Sequence, residues 1–147
     1  MNLSTRGRYG TRLIVELAKH YGRGPLSVSQ ISKNQSIPVK YLEQLIIPLK
    51  RARLIKSVRG PRGGHMLTEP PDRISVWDVV RLLEVKFSFV DCLSDPETCD
   101  HAGDCPVRPV WGKAYQAMVE VFKKTTLGAL IRDQGCLEEI AAKDDEQ

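Results

Sequence analysis

The sequence has no run of 18 or more apolar residues, about the length that a membrane-spanning helix requires. Its first ten residues, MNLSTRGRYG, also lack the apolar stretch of a secretory signal peptide. We therefore expect a cytoplasmic protein with no membrane partner. No nucleophile paired with a placed histidine, no convergent general acid and base and no phosphate-binding loop is recognisable. The sequence therefore predicts a protein that is not an enzyme.

Acidic residues are nearly absent from the first half of the chain. Residues 1–67 hold 13 Lys and Arg but only two carboxylates, Glu16 and Glu43, which gives a net charge of +11. Residues 68–147 hold 9 Lys and Arg against 16 Asp and Glu, a net charge of −7. Solvated surface charge is the simpler interpretation, but so uneven a distribution favours a basic half that contacts a polyanion. Nucleic acid is the leading partner.

Cysteine is scarce, yet three of the four cysteines lie close together. Cys92, Cys99 and Cys105 follow the spacing C-x6-C-x5-C, while Cys136 lies apart and is interpreted as a free thiol. A reducing cytoplasm disfavours structural disulfides. Three thiolates with a fourth ligand can hold zinc or an iron–sulfur cluster. The spacing alone leaves a metal site, redox thiols and cysteines without a special role as alternatives.

Three short helices are predicted in the first 51 residues. Apolar residues at four-residue spacing predict the first helix over residues 4–21. Ser27 and Gln30 fit a capping box that opens the second. The third begins near Pro38 and should kink or restart at Pro48, because an interior proline removes a helical hydrogen bond. Its predicted inward face consists of Leu42, Leu45, Ile46 and Leu49.

A β-hairpin and two more helices follow. The segments 55–59 and 65–67 flank the turn-rich GPRGG and predict a hairpin with a basic tip. Ser75 and Asp78 form another capping-box pattern, and a long helix is predicted over 109–125, followed by a last helical turn or two. This order predicts a mainly α-helical winged helix-turn-helix, with the small β-hairpin as its wing and a long C-terminal helix.

The predicted third helix and wing carry the side chains expected to contact DNA. In a winged helix-turn-helix the third helix enters the major groove, and a basic wing reaches the backbone or the minor groove. Glutamine pairs with adenine, lysine reaches guanine or phosphate, and glutamate accepts from cytosine N4. Arginines among glycines suit a narrow minor groove. The predicted DNA-binding residues are Lys40, Glu43, Gln44, Arg51, Arg59 and Arg62, although each one alone could be a solvated surface residue.

The chain resembles the Rrf-two (Rrf2) family of bacterial transcription regulators over residues 1 to about 132. The resemblance lies in LSTRGRYGTRLIVELAKHYGRGP, YLEQLIIPLKRARLIKSVRGPRGGHML and RPVWGKAYQAMVEVFKKTTLGALI. It implies a homodimer that crosses its long helices and binds a palindromic or semi-palindromic operator in double-stranded DNA. It also implies that Glu43, Gln44 and Arg59 match the operator-reading residues of IscR-like members.

These interpretations divide the chain into four parts. We expect a DNA-binding domain, a cysteine-bearing loop, a dimerisation helix with a short terminal helix, and a flexible acidic tail, over residues 1–84, 85–108, 109–132 and 133–147.

The resemblance also bears on the cysteines. Cys92, Cys99 and Cys105 resemble the cluster ligands of IscR- and NsrR-like members, whereas CymR-like members lack the triad. This implies an iron–sulfur cluster, 2Fe–2S ahead of 4Fe–4S, with zinc as the alternative metal. The histidine ligand of IscR corresponds to Arg108 here, which cannot ligate iron. His101 is the nearest imidazole and the candidate fourth ligand, with Asp100 and Asp104 as alternative oxygen ligands and a solvated loop histidine as the simpler interpretation.

The predicted function is a dimeric transcription regulator that senses iron–sulfur, redox or nitric-oxide status through a cluster. The alternative is a CymR-like regulator without a cluster, controlled by reactive thiols or by docking of a metabolic enzyme.

Overall fold

The structure is a computed structural model and describes residues 2–133. Besides the helices and strands given below, the chain forms two short 3-10 turns, at Pro71–Arg73 and Pro96–Thr98, and residues 127–133 are again helical. The thiol of Cys136 and all but the first residue of the expected acidic tail lie outside the described residues. The elements are α1 (Thr5–Lys19), α2 (Val28–Gln35), α3 (Val39–Arg51), β1 (Ile55–Val58), β2 (Gly64–Leu67), α4 (Val76–Leu83), α5 (Asp91–Ser94) and α6 (Arg108–Lys124).

This order confirms the mainly α-helical prediction with one β-hairpin. The two strands are antiparallel, and their register pairs Ile55 with Leu67 and Val58 with Gly64. None of the helices within residues 2–133 combines the length and the apolar character needed to cross a bilayer.

One apolar core joins the first four helices to the hairpin. Burying a leucine or isoleucine side chain is worth about 1.5–3 kcal/mol relative to leaving it in water, so this core dominates the stability of the fold. The predicted inward face of the third helix is buried as expected. The core members with at most 2% of their surface exposed are Leu13, Ile14, Leu17, Ala18, Ile31, Ile37, Leu42, Leu45, Leu49, Ile55, Leu67, Ile74, Val79, Leu83 and Leu127.

Serine caps begin the second and fourth helices. The Ser27 hydroxyl accepts from the Gln30 backbone N–H at 3.2 Å, but the Gln30 side chain donates to Asn34 instead of returning to the cap. The predicted box is therefore half-formed there. At Ser75 both halves are present, since the Asp78 carboxylate accepts from the Ser75 backbone N–H at 2.9 Å. Such caps stabilise a helix by about 0.5–2 kcal/mol.

Two helix predictions differ from the structure. The first helix ends at Lys19, so Tyr21 lies beyond it and is exposed; the chain turns there into left-handed backbone at Gly22. Of the kink or restart predicted at Pro48, the restart is wrong, because α3 continues through this residue without a break, and the kink stays a prediction. Burial of the flanking leucines against the core offsets the hydrogen bond that proline cannot donate.

The first and fourth helices approach closely at two glycines. A Cβ on Gly7 would overlap the carboxylate of Glu84, and a Cβ on Gly10 would overlap the side chain of Leu83. The same Glu84 oxygen accepts from the backbone N–H of Ser4 at 3.0 Å and from its hydroxyl at 2.8 Å. The start of α1 is thereby fixed at the end of α4, where the chain leaves toward the cysteines.

Candidate nucleic-acid interface and cysteine segment

The third helix presents a polar face on the side opposite its buried leucines. Lys40, Glu43, Gln44 and Arg51 are all exposed there, as the sequence predicted. Ile47 lies on the same face and is 50% exposed. None of these side chains joins a salt bridge within residues 2–133. Their charges and amides are therefore available to a partner.

The tip of the hairpin is basic and exposed. Arg59 and Arg62 lie in the five-residue connection between the strands, with their side chains in solvent. Gly60 adopts a φ of 115°, and a Cβ on Gly63 would overlap the carbonyl oxygen of Val58. The tight turn therefore depends on glycine at these two positions and projects both guanidinium groups outward.

The inner strand of the wing, β2, is hydrogen-bonded to the chain segment that precedes α2. Leu26 and His65 exchange two backbone hydrogen bonds, each of 2.9 Å. The His65 ring also makes a 2.9 Å hydrogen bond to the hydroxyl of Ser57 across the hairpin. Burial lowers the pKa of His65 below its usual value of 6.5, and the positive charge of Lys50 lowers this pKa further. Because the Leu26 segment covers β2, β1 is left as the outer strand.

The cysteine segment, residues 91–105, holds three free thiols. Cys92 and Cys105 are half-buried, whereas Cys99 and the candidate ligand His101 are exposed. Between residues 2 and 133, no group of three or more His, Cys, Asp or Glu side chains is arranged to hold a metal ion. The segment in this arrangement therefore does not fit a zinc ion or an iron–sulfur cluster, and both cofactors stay predictions.

Arg108, the first residue of α6, contacts the cysteine segment directly. Its Nε and Nη2 donate to the backbone carbonyl of Cys92 at 3.2 and 3.1 Å. Sequence reasoning considered this residue only as the position of an absent ligand. In the structure it fastens the start of the cysteine segment to the start of the long helix. The contact joins residues 16 positions apart, and no local pattern in the sequence indicates it.

Aromatic side chains pack the linker, residues 84–90, which joins α4 to the cysteine segment. The ring of Phe87 lies 5.5 Å from that of Trp77 on α4 and 6.2 Å from that of Tyr115 on α6. Phe89 lies 5.7 Å from Trp111 on the same long helix. Such contacts add about 0.5–1.5 kcal/mol each beyond the area they bury. Sequence reasoning missed this cluster, although the alternating phenylalanines of FSF were a usable signal.

The long helix carries an apolar stripe, Val110, Ala114, Ala117 and Val121, and leaves most of it uncovered. Val110 and Val121 are 56% and 61% exposed, and Ala114 and Ala117 are exposed as well. Leu127, beyond the end of the helix, is fully buried against the domain. Among residues 2–133, therefore, the stripe has no partner except at its far end.

Comparison with known proteins assigns this arrangement to a family. A family model named Rrf2 and described as an iron-dependent transcriptional regulator matches residues 3–133. The chain is 41% identical over 127 residues to the HTH-type transcriptional regulator CymR of Bacillus subtilis. The aligned residues cover 86% of this chain and 87% of that protein.

Solved structures agree with the family match. The structure of CymR, described as the global cysteine regulator of B. subtilis, superposes with a TM-score of 0.75 at 40% identity, covering 88% of this chain and 95% of that one. The structure of T. potens IscR superposes with a TM-score of 0.72 at 37% identity, covering 91% of this chain and 88% of that one. Both solved structures match most of this chain.

Proposed function

Because the chain belongs to the Rrf2 family of DNA-binding transcription regulators, we propose that it binds operator DNA with α3 in the major groove and the wing on the neighbouring backbone or minor groove. The observation that carries the proposal is that α3 and the wing face the same side of the domain. The C-terminal end of α3 and the wing border a single groove, so both elements can face the same duplex. The side chains proposed to contact DNA are Lys40, Glu43, Gln44, Arg51, Arg59 and Arg62.

The regulator acts as a homodimer in this proposal. The uncovered stripe of α6, with Val110 and Val121 more than half exposed, supports burial against a second copy. A two-fold axis through paired long helices gives two equivalent reading helices. Their half-sites would then lie about one turn of DNA, roughly 34 Å, apart.

Control of the operator affinity is assigned to the thiols of the cysteine segment, as in the cluster-free alternative. Similarity to CymR supports this choice, as does the exposure of Cys99. In the chemical step the Cys99 thiolate attacks the outer oxygen of a hydroperoxide. A sulfur–oxygen bond forms, the oxygen–oxygen bond breaks, and an alcohol or water leaves with the proton as the thiol becomes a sulfenic acid.

The hydrogen bonds between Arg108 and the Cys92 carbonyl supply a route from the segment to the dimer helix. A change in the segment would alter how α6 is held and hence the separation of the reading helices. Couplings of this type amount to about 1–3 kcal/mol. Docking of a metabolic enzyme on the segment stays a prediction.

An iron–sulfur regulator is the second candidate. Three cysteines within one short interval favour it, as does the iron-dependent description of the family model. Since the described arrangement brings no three ligands together, cluster binding would require residues 91–105 to rearrange.

The test begins with protein purified without oxygen, used to select duplexes from a random-sequence pool. Selection of a two-fold symmetric site supports operator binding by a dimer, and recovery of no preferred sequence rejects it. Iron, sulfide and zinc content and the visible spectrum then separate the two control mechanisms.

A colourless, metal-free protein whose operator affinity responds to peroxide, but not in Cys99→Ser, supports thiol control. The matched control is Cys136→Ser, which should respond as the wild type does. Stoichiometric iron and sulfide, absent from Cys92→Ser, would favour the cluster instead.

A further inference from the structure

An open groove of about 710 Å³ runs from the end of α3 along the outer strand of the wing. Four cations line it, and all four are exposed: Lys50, Arg53, Lys56 and Arg59. Glu69 is the single carboxylate in the lining. Of these residues only Arg59 belongs to the operator contacts proposed above, so three cations have no assigned role.

The four positive charges are not neutralised from within the described part of the chain. None of them joins a salt bridge with a carboxylate of residues 2–133. Lys50 lies close enough to the wing for its charge to lower the pKa of His65. Clustered like charges repel one another in the folded state. A polyanion seated in the groove would relieve that repulsion.

Arg53 lies in the turn between α3 and β1 and lines this groove. The residue has a φ of 59°, a left-handed conformation that few side chains other than glycine, asparagine and aspartate adopt readily. Its carbonyl oxygen accepts from the hydroxyl of Thr68, another residue of the lining. The turn between α3 and β1 is thus held in place from both sides of the groove.

Protection of an open strand edge is the competing explanation for these cations. Lysine on an edge strand discourages pairing with another chain, and β1 is the outer strand of the wing. This accounts for Lys56 but not for Lys50 on α3 or Arg53 in the turn, because neither lies on the strand.

We propose that this groove seats the phosphate backbone of the duplex that flanks each operator half-site, beyond the bases that α3 reads. The inference rests on the proposed operator binding and extends it to a second, sequence-independent contact. β1 spans roughly 13 Å at 3.3 Å per residue. One strand of B-DNA presents a phosphate every 3.4 Å of helix axis. Because the backbone winds around that axis, neighbouring phosphates lie farther apart along the strand, and the groove is long enough to seat consecutive phosphates but not a whole turn. Such contacts fix position and register without reading sequence.

The test uses the triple variant Lys50→Gln/Arg53→Asn/Lys56→Gln, which keeps Arg59 and hence the wing contact. Asparagine is chosen because it tolerates the left-handed backbone. Binding of the selected operator is measured over a range of salt concentrations. One duplex carries the operator alone, and a second carries in addition about 10 base pairs, one helical turn, of mixed-sequence flank on each side.

Wild type should bind the flanked duplex more tightly and with the steeper salt dependence. The triple variant should lose this preference while keeping its affinity for the operator alone. The slope of log K against log salt on the flanked duplex should become shallower by about 0.9 for each phosphate that is no longer neutralised, roughly 2.7 per protomer. Lys19→Gln/Lys123→Gln/Lys124→Gln, which removes the same charge elsewhere, should retain the preference for flanks.

Two results would overturn the inference while leaving operator binding in place. One is a variant that keeps the wild-type preference for flanks, and the other is a variant weakened equally on both duplexes. Self-association of the variant in sedimentation, with unchanged DNA binding, would assign the cations to edge protection instead. Failure of the wild type to select any operator would reject the proposed function itself. Thermal melting of each variant shows that it is folded.

Discussion

The four helices of residues 2–84 each bury at least one leucine, isoleucine or valine, whereas residues 85–107 bury only Ala102. Val85, at the start of the second region, is 90% exposed. Regions with few buried side chains open at a low free energy, while well-packed cores open only with global unfolding. Residues 2–84 therefore form a rigid domain, called the reading domain because it carries the proposed DNA contacts, and residues 85–107 form a segment whose arrangement can change at a small cost in free energy.

Few interactions hold that segment, and they connect it to particular elements. Phe87 packs its linker between α4 and α6, and Arg108 binds the Cys92 carbonyl at the start of α6. Glu84, at the beginning of the linker, is tied by hydrogen bonds to Ser4. A segment attached in this way can transmit a change to the domain and to the long helix without disturbing the core.

A matched pair of leucine truncations gives the largest expected difference between the two regions. Leu13→Ala empties a fully buried core position and should lower the free energy of unfolding by about 2–5 kcal/mol. Leu93→Ala, at a half-buried position in the cysteine segment, should cost less than about 1.5 kcal/mol because it removes little buried apolar surface. Urea unfolding of both variants measures this, and equal decreases would contradict the contrast in packing.

A substitution in the wing should give the next largest effect, which is a loss of operator affinity and not a loss of folding stability. Arg59→Ala removes an exposed guanidinium from the wing and should weaken operator binding by about 1–3 kcal/mol with no change in unfolding. Fluorescence anisotropy at fixed moderate salt provides the measurement. Arg81→Ala is the control, since Arg81 is exposed and pairs with Asp78 on α4. If both variants bind like wild type, the wing plays no part in operator contact.

Removing the hydrogen bonds that hold the cysteine segment to α6 should produce a smaller change, in the reaction rate of one thiol. Arg108→Ala deletes both hydrogen bonds to the Cys92 carbonyl, which contribute about 1 kcal/mol to holding the segment closed. Alkylation of the half-buried Cys92 should therefore become about fivefold faster, with little change at the exposed Cys99. Mass spectrometry of timed samples reports each thiol separately. Arg108→Lys, which retains one charged donor, should fall between wild type and alanine.

The pH dependence contributed by His65 is the smallest expected effect. Burial and the charge of Lys50 hold the folded-state pKa of His65 below 6.5. As the pH falls below 6.5, the unfolded chain binds the proton more readily than the folded one, so folding stability decreases until the pH passes the folded pKa. His65→Gln should remove this component between pH 7 and pH 5. Identical pH slopes for wild type and variant would show that the wing does not titrate.

Local patterns predicted the reading domain well because its signals lie close together in the chain. The leucine spacing of α3, the Ser75 and Asp78 cap and the glycine-rich hairpin each specify structure within about ten residues. The errors also have local causes. Tyr21 continued an apolar period beyond the helix, and Pro48 suggested a break that packing of the same helix against the core prevents.

The cysteine segment was predicted far less well, because spacing along the chain does not specify which side chains meet. The interval C-x6-C-x5-C alone left a metal site, redox thiols and cysteines without a special role as alternatives, and within residues 2–133 no three ligands come together. The hydrogen bonds of Arg108 to Cys92 and the packing of Phe87 between two helices join residues distant in sequence. Neither could be derived from periodicity, since both depend on where α6 lies against α4.

The sequence by itself determined the fold class, the basic first half, the polar face of α3 and the presence of three neighbouring thiols. These follow from composition and from periods of two to four residues, which act before any tertiary contact forms. Only the tertiary structure decided that Arg108 holds Cys92 and that Lys50, Arg53 and Lys56 share one groove with the wing. Those relations arise when a buried core fixes helices and strands at set distances, and no local pattern encodes such distances.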